Sequence, residues 1–184
     1  MEANGRHAVF FDNPGGTQVP QPVIDAVADY YRTSNANSGG AFLTSKRTDE
    51  VVYGARQAMA DLLNAPEPEN IVYGPNMTSL TFQLARSIAR TIRPGDEVIV
   101  TNLDHDANVA PWLDLAEHGA LIKVVDIHPE DCTLDMDSFQ SALSETTKLV
   151  AISHASNAVG TIPDVPRLVR LAHDAGAKVF VDAV

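Results

Sequence analysis

The sequence predicts an α/β protein with a mostly parallel sheet. Two observations lead there. From about residue 70 onward, short β-branched apolar runs alternate with stretches whose apolar residues recur at helical spacing. Gly, Pro, Asp or Asn separate most of these runs, and these are the residues that end helices and open turns. At 184 residues the chain is long enough to bury a core.

The elements follow in order. "NIVYG" (70–74) reads as a short buried strand closed by Gly-Pro. "MTSLTFQLARSIARTI" (77–92) places Leu80, Leu84, Ile88 and Ile92 four residues apart, a helical stripe. "RPGDEVIVT" (93–101) is a turn leading into the second strand. "ANVAPWLDLAEHG" (107–119) reads as a helix stopped by Gly119. "ALIKVVDI" is the third strand, "MDSFQSALS" a short helix, and "KLVAISH" (148–154) the fourth strand. "DVPRLVRLAHDAG" (164–176) is a helix that Asp164 can cap, and "AKVFVD" is the fifth strand.

The first 65 residues differ in character. "PQPVIDAVADYYRT" is a helix entered from prolines, "SNANSGGAFLTS" a polar, glycine-bearing loop, and "TDEVVYGARQAMADLLNA" a second helix. The expected organisation is therefore 1–65, an N-terminal arm with two helices and a loop, and 66–184, the α/β part. A hydrophobic content of 45% with 20% charged residues fits a globular protein, and no apolar run approaches the length of a membrane span. The first residues lack the basic-then-apolar pattern of a secretory signal. A single cysteine, Cys132, excludes an internal disulfide and suits a reducing cytoplasm. A net charge of −11 without a Lys/Arg cluster argues against a nucleic-acid surface.

Ligands of such sheets bind at the carboxyl ends of the strands, so the residues there carry the chemical reading. "GPNMTS" (74–79) opens a helix whose free N–H groups suit an anion, with donors from Asn76, Thr78 and Ser79; the alternative is an ordinary capped helix. Neither a Walker loop nor GxGxxG is present. In "NLDHDANVAPW" (102–112), His105 stands between Asp104 and Asp106. Adjacent His and Asp do not converge on a metal, and a flat imidazole stacking on a planar ring is the better functional reading; the alternative is a solvated loop histidine. "SHASNAVGTIPD" (153–164) offers His154, Ser156 and Asn157 to a ligand oxygen. Asp182, at the end of the last strand, needs a cationic or hydrogen-bonding partner to stay charged if buried, or else it caps a following helix. A phosphate, a flat ring, a ring oxygen and a ring nitrogen together outline pyridoxal phosphate, an electron sink.

The order of these motifs resembles the class V aminotransferase group of pyridoxal-phosphate enzymes, and within it the cysteine desulfurase and selenocysteine lyase branch. "DHDANVAPW" is similar to that branch's "EHHANxxPW", "ISHASNAVGTI" to "xSHVSNxxGxx", and "AHDAGAKVFVDAV" to "AHxxGAKVLVDGAQ". The likeness opens at "FFDNPGGTQVP", which parallels "YLDxAAxxxxP". It implies the fold-type I large domain. It also implies that His105 stacks on the pyridine ring and acts in catalysis, that Asn157 bonds the 3-oxygen, and that Asp182 pairs with the ring nitrogen. Met77 and Thr78 would hold the phosphate, with Met77 where the family carries a hydroxyl. The implied substrate is an amino acid and the implied working form a homodimer. Around the substrate the pattern departs: "SGGAFLTS" (38–45) stands where desulfurases read roughly "HRGxHxLS", so Gly15, Gly16, Ser38, Gly39 and Gly40 are candidates for a substrate-facing loop that has lost its basic pair.

The family holds its cofactor on a lysine one strand beyond the position of Asp182. The lysines here are Lys46, Lys123, Lys148 and Lys178, and none matches it. Lys178 precedes Asp182 by four residues, roughly 13 Å along a strand. Cys132, among Glu130, Asp131 and Asp135, matches no catalytic cysteine, and its acidic neighbours disfavour a thiolate. In the family's strand order, 3-2-4-5-6-7-1, the second to fifth strands here would form one block and the first would lose its route into the sheet. The expectation is a piece, N-terminal in position and inactive by itself, of a longer desulfurase-like enzyme. The alternatives are another class V member (a transaminase, lyase or epimerase) or a module that binds pyridoxal phosphate or another phosphorylated ligand without catalysis, and a plain nucleotide-binding domain ranks last.

Overall fold

The structure is a computed structural model that describes residues 2–9 and 15–184. Residues 10–14, where the family likeness opens, lie outside them. The chain divides into two compact units, Met1–Tyr73 and Gly74–Val184.

The first unit opens with a hairpin that the sequence reading did not anticipate. Strands β1 (Glu2–Ala3) and β2 (Arg6–His7) pair antiparallel across Asn4 and Gly5. Both turn residues have positive φ, 55° and 72°, and Asn-Gly is the pair that tolerates this in a two-residue hairpin. Helix α1 (Gln21–Thr33) starts just after Pro20 and carries Pro22 in its first turn, where a missing N–H costs nothing.

Helix α2 (Leu43–Leu63) begins five residues ahead of the expected Thr48, so Leu43 to Arg47, Lys46 included, are helical rather than loop. The polar residues that read as loop formers serve the loop from within the helix. Ser45 Oγ donates to Asn37 O at 2.6 Å and accepts from Gly40 N at 2.6 Å. Thr48 Oγ1 donates to Ser34 O at 2.8 Å, which leaves Tyr30 as the donor in its 3.2 Å contact with Thr48. Asn64, with φ of 53°, ends the helix in the left-handed conformation.

The expected strand at 70–74 does not form. Ile71 is buried, but Val72 and Tyr73 are exposed, and the segment pairs with no strand among the described residues. Its residues have strand propensity without a neighbour, and propensity alone does not make a strand.

The second unit is a doubly wound α/β layer. Helix α3 (Met77–Ala89) is followed by β3 (Glu97–Thr101), α4 (Ala110–Leu113), β4 (Leu121–Val125), α5 (Met136–Ala142), β5 (Thr147–Ser153), α6 (Val165–Asp174) and β6 (Lys178–Asp182). The sheet order is β4-β3-β5-β6, all parallel, which is the contiguous block that the family strand order implies. Central strands β3 and β5 are buried almost throughout, as parallel strands covered on both faces must be. Alternate residues feed two cores. Ile99, Val150 and Ile152 pack with Phe139 of α5 and Leu168 of α6, while Val98, Val100, Leu149 and Ala151 pack with Ala85 of α3 and Trp112 of α4. No helix among the described residues is long and apolar enough to cross a membrane.

Asp164 caps α6 as expected, its Oδ1 accepting from Arg167 N at 3.1 Å. The helix expected over 107–119 is instead broken into a 3-10 turn (Asp106–Asn108), the single turn α4 and a second 3-10 stretch (Asp114–His118). Pro111 supplies no N–H, and Val109, with φ of −120°, breaks the spiral before it. Gly119, with φ of 93°, ends the stretch where the sequence places the stop.

Candidate functional site at the carboxyl edge of the sheet

Parallel strands deliver their carboxyl ends to one edge, and the predicted residues of the second unit stand around it. Ser153 and Asp182 are register partners at the ends of β5 and β6. His105 lies in the loop leaving β3, and Asn157 in the loop leaving β5. The Asn157 loop is tied to β6 at once, because His154 N donates to Asp182 O at 2.7 Å. Within that loop, Gly160 N returns to Ser156 O at 3.0 Å and Ser156 N to Thr161 O at 2.9 Å, leaving Asn157 exposed at the bend.

Helix α3 runs back along the sheet to reach β3, so its N-terminus faces the carboxyl edge. Thirteen residues of helix cover about 20 Å, more than the length of the strand that follows. Asn76 caps α3, its Oδ1 accepting from Ser79 N at 2.8 Å. The N–H groups of Met77 and Thr78 remain free of intrahelical partners, as at any helix start. Thr78 is exposed and Met77 half-buried. Gly74 permits the tight entry, since a Cβ there would come within 2.6 Å of Leu80 Cγ.

The loop after β3 is built around a residue that the sequence reading passed over except as a metal candidate. The Asp104 carboxyl accepts from Thr101 Oγ1 through one oxygen and from Asn108 Nδ2, at 2.6 Å, through the other. Asn108 is fully buried, and its Oδ1 accepts from Trp112 Nε1 at 3.0 Å. Trp112 in turn meets Phe180 of β6 edge-on, with ring centroids 5.2 Å apart. Burial lifts the pKa of Asp104 from 3.8 to about 6, and the charge of Asp182 adds to the rise, while Thr101 and Asn108 oppose it. The Asp104 carboxyl thus feels the charge of Asp182. The Ser153 hydroxyl bears on Asp104 only weakly, because its buried Oγ closes no direct hydrogen bond among the described residues. The spacing Asp104–Asn108–Trp112, four residues each time, was the signal available in the sequence.

His105 itself is exposed, and its Nδ1 accepts from Ala107 N at 3.1 Å. A backbone N–H can only donate, so the neutral ring carries its proton on Nε2.

The donor set fits pyridoxal phosphate. The charge of Asp182 reaches Asp104, and Ser153, the register partner of Asp182, has a buried hydroxyl without a partner among the described residues, a combination that suits a cation such as a protonated ring nitrogen. His105, the residue after Asp104, adds an exposed imidazole, and the start of α3 offers N–H groups to an anion. Asp182 spends Oδ1 on Val184 N at 3.1 Å.

Gly15, Gly16, Ser38, Gly39 and Gly40 belong to the first unit. There Gly39 N donates to Asp49 Oδ1 at 3.1 Å, and a Cβ on Gly40 would lie 2.8 Å from Ser45 Oγ. Lys148 and Lys178 stand near the starts of β5 and β6, at the opposite edge of the sheet. Lys123 is bonded to Glu97 at 2.8 Å, and Lys46 lies in α2. Cys132, half-buried with φ of 57°, sits in the turn closed by its N–H to His128 O at 2.7 Å.

Residues 9–184 match the family model described as Aminotransferase class-V. The chain belongs to that family. A probable cysteine desulfurase of Synechocystis sp. (strain ATCC 27184 / PCC 6803 / Kazusa) is 37% identical over 186 aligned positions, covering 100% of this chain and 44% of that protein. A probable cysteine desulfurase of Methanothermobacter thermautotrophicus is 38% identical over 179, covering 97% of this chain and 44% of that protein. Among solved structures, the apo cysteine desulfurase of Thermococcus onnurineus NA1 superposes with a TM-score of 0.87 at 30% identity, over 95% of this chain and 43% of that one. This class-V chain therefore spans less than half the length of these relatives.

Proposed function

We propose that this protein is a pyridoxal-phosphate-dependent enzyme that acts on an amino acid in the manner of a cysteine desulfurase, releasing sulfur from cysteine. One observation carries the reading: a half-buried Asp182 closes β6 beside a second carboxyl, Asp104, and a buried Ser153 hydroxyl without a partner. Such a group of acids calls for a cation, and the family to which the chain belongs supplies one as a ring nitrogen. The cofactor contributes an electron sink when bound. In this reading Asp182 keeps a proton on the ring nitrogen, His105 covers the ring face, Asn157 donates to the ring oxygen, and the α3 start at Met77 and Thr78 receives the phosphate. Gly15, Gly16 and the Ser38–Gly40 bend would face the substrate, in an arrangement with the basic pair absent. The working form would be a cytoplasmic homodimer, with residues 1–65 as the arm and 66–184 as the start of the cofactor domain.

Titration of the chain with pyridoxal 5'-phosphate, followed by induced circular dichroism, tests this. Saturable binding that weakens at least tenfold in Asp182→Ala is expected. Equal affinity in both proteins, or no binding by either, overturns the proposal. A second reading, binding without catalysis, draws on the lysines: those of the second unit all stand away from the carboxyl edge. It predicts that a protein extended to the length of the relatives also binds the cofactor reversibly, with nothing for borohydride to trap.

A further inference from the structure

We propose that Asp104 is a positioning residue that fixes His105 in one orientation and one tautomer at the carboxyl edge of the sheet. The inference deepens the cofactor reading, but its geometry stands without any bound ligand.

Four side chains form a continuous brace around the His105 backbone. Thr101, at the end of β3, bonds one oxygen of Asp104; Asn108, in the turn just after His105, bonds the other; Trp112 then holds Asn108. The brace starts on the strand before His105 and returns to the helical turn after it, so the contacts from Thr101 to Trp112 bracket His105 along the chain. Its far end is anchored, because Trp112 is fully buried and packed against Phe180, two residues before Asp182. With the loop held, Ala107 N stays at 3.1 Å from His105 Nδ1 and keeps the ring proton on Nε2.

The brace tolerates either charge state of Asp104. As a carboxylate it accepts both bonds. As an acid, its protonated oxygen donates to Thr101 Oγ1, which already accepts from Leu103 N at 3.1 Å and has a second lone pair to give. The other oxygen continues to accept from Asn108. An asparagine in place of Asp104 can point an N–H at Thr101 Oγ1 and its carbonyl oxygen at Asn108, the two bonds that the acid makes, so Asp104→Asn should preserve the brace, while Asp104→Ala removes both bonds and opens a void.

The test is long-range proton–nitrogen NMR of the labelled chain at about pH 8, where an ordinary imidazole is neutral. His105 is assigned by its loss in His105→Gln among the six histidines. Wild type and Asp104→Asn should each show one unprotonated and one protonated ring nitrogen at His105. In Asp104→Ala the two shifts should converge as the tautomers exchange. Thr101→Val, which keeps the shape but removes the bond to Asp104 and the one from Leu103 N, should show partial convergence and stands in if Asp104→Ala does not fold. A fixed tautomer in both Asp104→Ala and Thr101→Val, or one lost in Asp104→Asn as fully as in Asp104→Ala, overturns the proposal. No cofactor enters the measurement. Failure of pyridoxal phosphate to bind would sink the function proposed above and leave this result standing.

Discussion

Asp182, separated from Asp104 in the chain by β5, brings its charge to bear on the Asp104 carboxyl at the carboxyl edge of the sheet. Burial first and the Asp182 charge second raise the Asp104 pKa to about 6. A carboxyl whose folded pKa lies above its unfolded value stabilises the fold most below the unfolded pKa, near 3.8. That contribution is lost as pH rises to about 6. The shift corresponds to no more than about 3 kcal/mol. Asp104→Asn, which cannot ionise, should therefore gain stability over wild type as pH rises from 4 to 7. Urea denaturation at stepped pH measures the difference, and a constant offset across that range would contradict the shift.

Asn108 makes the brace depend on one amide. It is completely buried, and it links Trp112 Nε1 to an Asp104 oxygen. Asn108→Ala leaves an indole N–H and a carboxyl oxygen unpaired, each worth about 1–3 kcal/mol when buried. A loss of about 2–4 kcal/mol is expected. Trp112 is the single tryptophan, so its fluorescence follows both the local change and global unfolding. A loss below about 0.5 kcal/mol, the scale of an ordinary surface change, would show that water replaces the amide without penalty.

Much of this architecture was legible because its signals are local. The strands at 97–101, 121–125, 147–153 and 178–182 announce themselves as apolar runs between turn residues, and the Asp164 cap and Gly119 stop do the same for helix ends. The segment at 70–74 misled because a strand needs a partner that its own sequence does not encode. The first residues of α2 misled because Ser45, polar and loop-like in sequence, turns inward to bond the preceding loop from within the helix. The Asn4-Gly5 hairpin was readable and was missed. At the site, strand-end positions drew notice to His105, Asn157 and Asp182. The importance of Asp104 comes from burial against Thr101 and Asn108 and from the nearness of Asp182, and only the folded sheet creates those relations.

Gly119 carries a requirement that alanine cannot meet. Its φ of 93° is strained for any side chain, and a Cβ would stand 3.0 Å from the backbone Cα of Pro94. The carbonyl of Gly119 also accepts from Gly95 N at 3.1 Å, which fixes the entry to β4 beside the entry to β3. Gly119→Ala should cost about 1–2 kcal/mol or more, through conformation and contact together. Thermal unfolding by circular dichroism reads this as a lowered midpoint, and an unchanged midpoint would mean that the turn relaxes freely.

At the amino end of β3, Glu97 has the opposite linkage to Asp104. Lys123 bonds its Oε1 at 2.8 Å, and Ser144 and Thr147 donate to Oε2 at 2.5 and 3.2 Å. The Lys123 bond leads in holding its pKa below the usual carboxylate value, with Ser144 next and burial opposing. A depressed folded pKa adds stability that is present above the unfolded pKa and lost as pH falls through the folded one. Lys123 also donates to Ala142 O at 2.8 Å, so the pair fastens the end of α5 to the sheet. With the Lys123 side chain 32% exposed, solvent screening keeps the pair to about 1 kcal/mol. Lys123→Met should therefore destabilise at pH 7 by about that amount, and the difference should shrink below pH 4. Paired denaturation curves of Lys123→Met and wild type at pH 7 and at pH 3 check it, and a loss that grows on acidification would reverse the assigned sign.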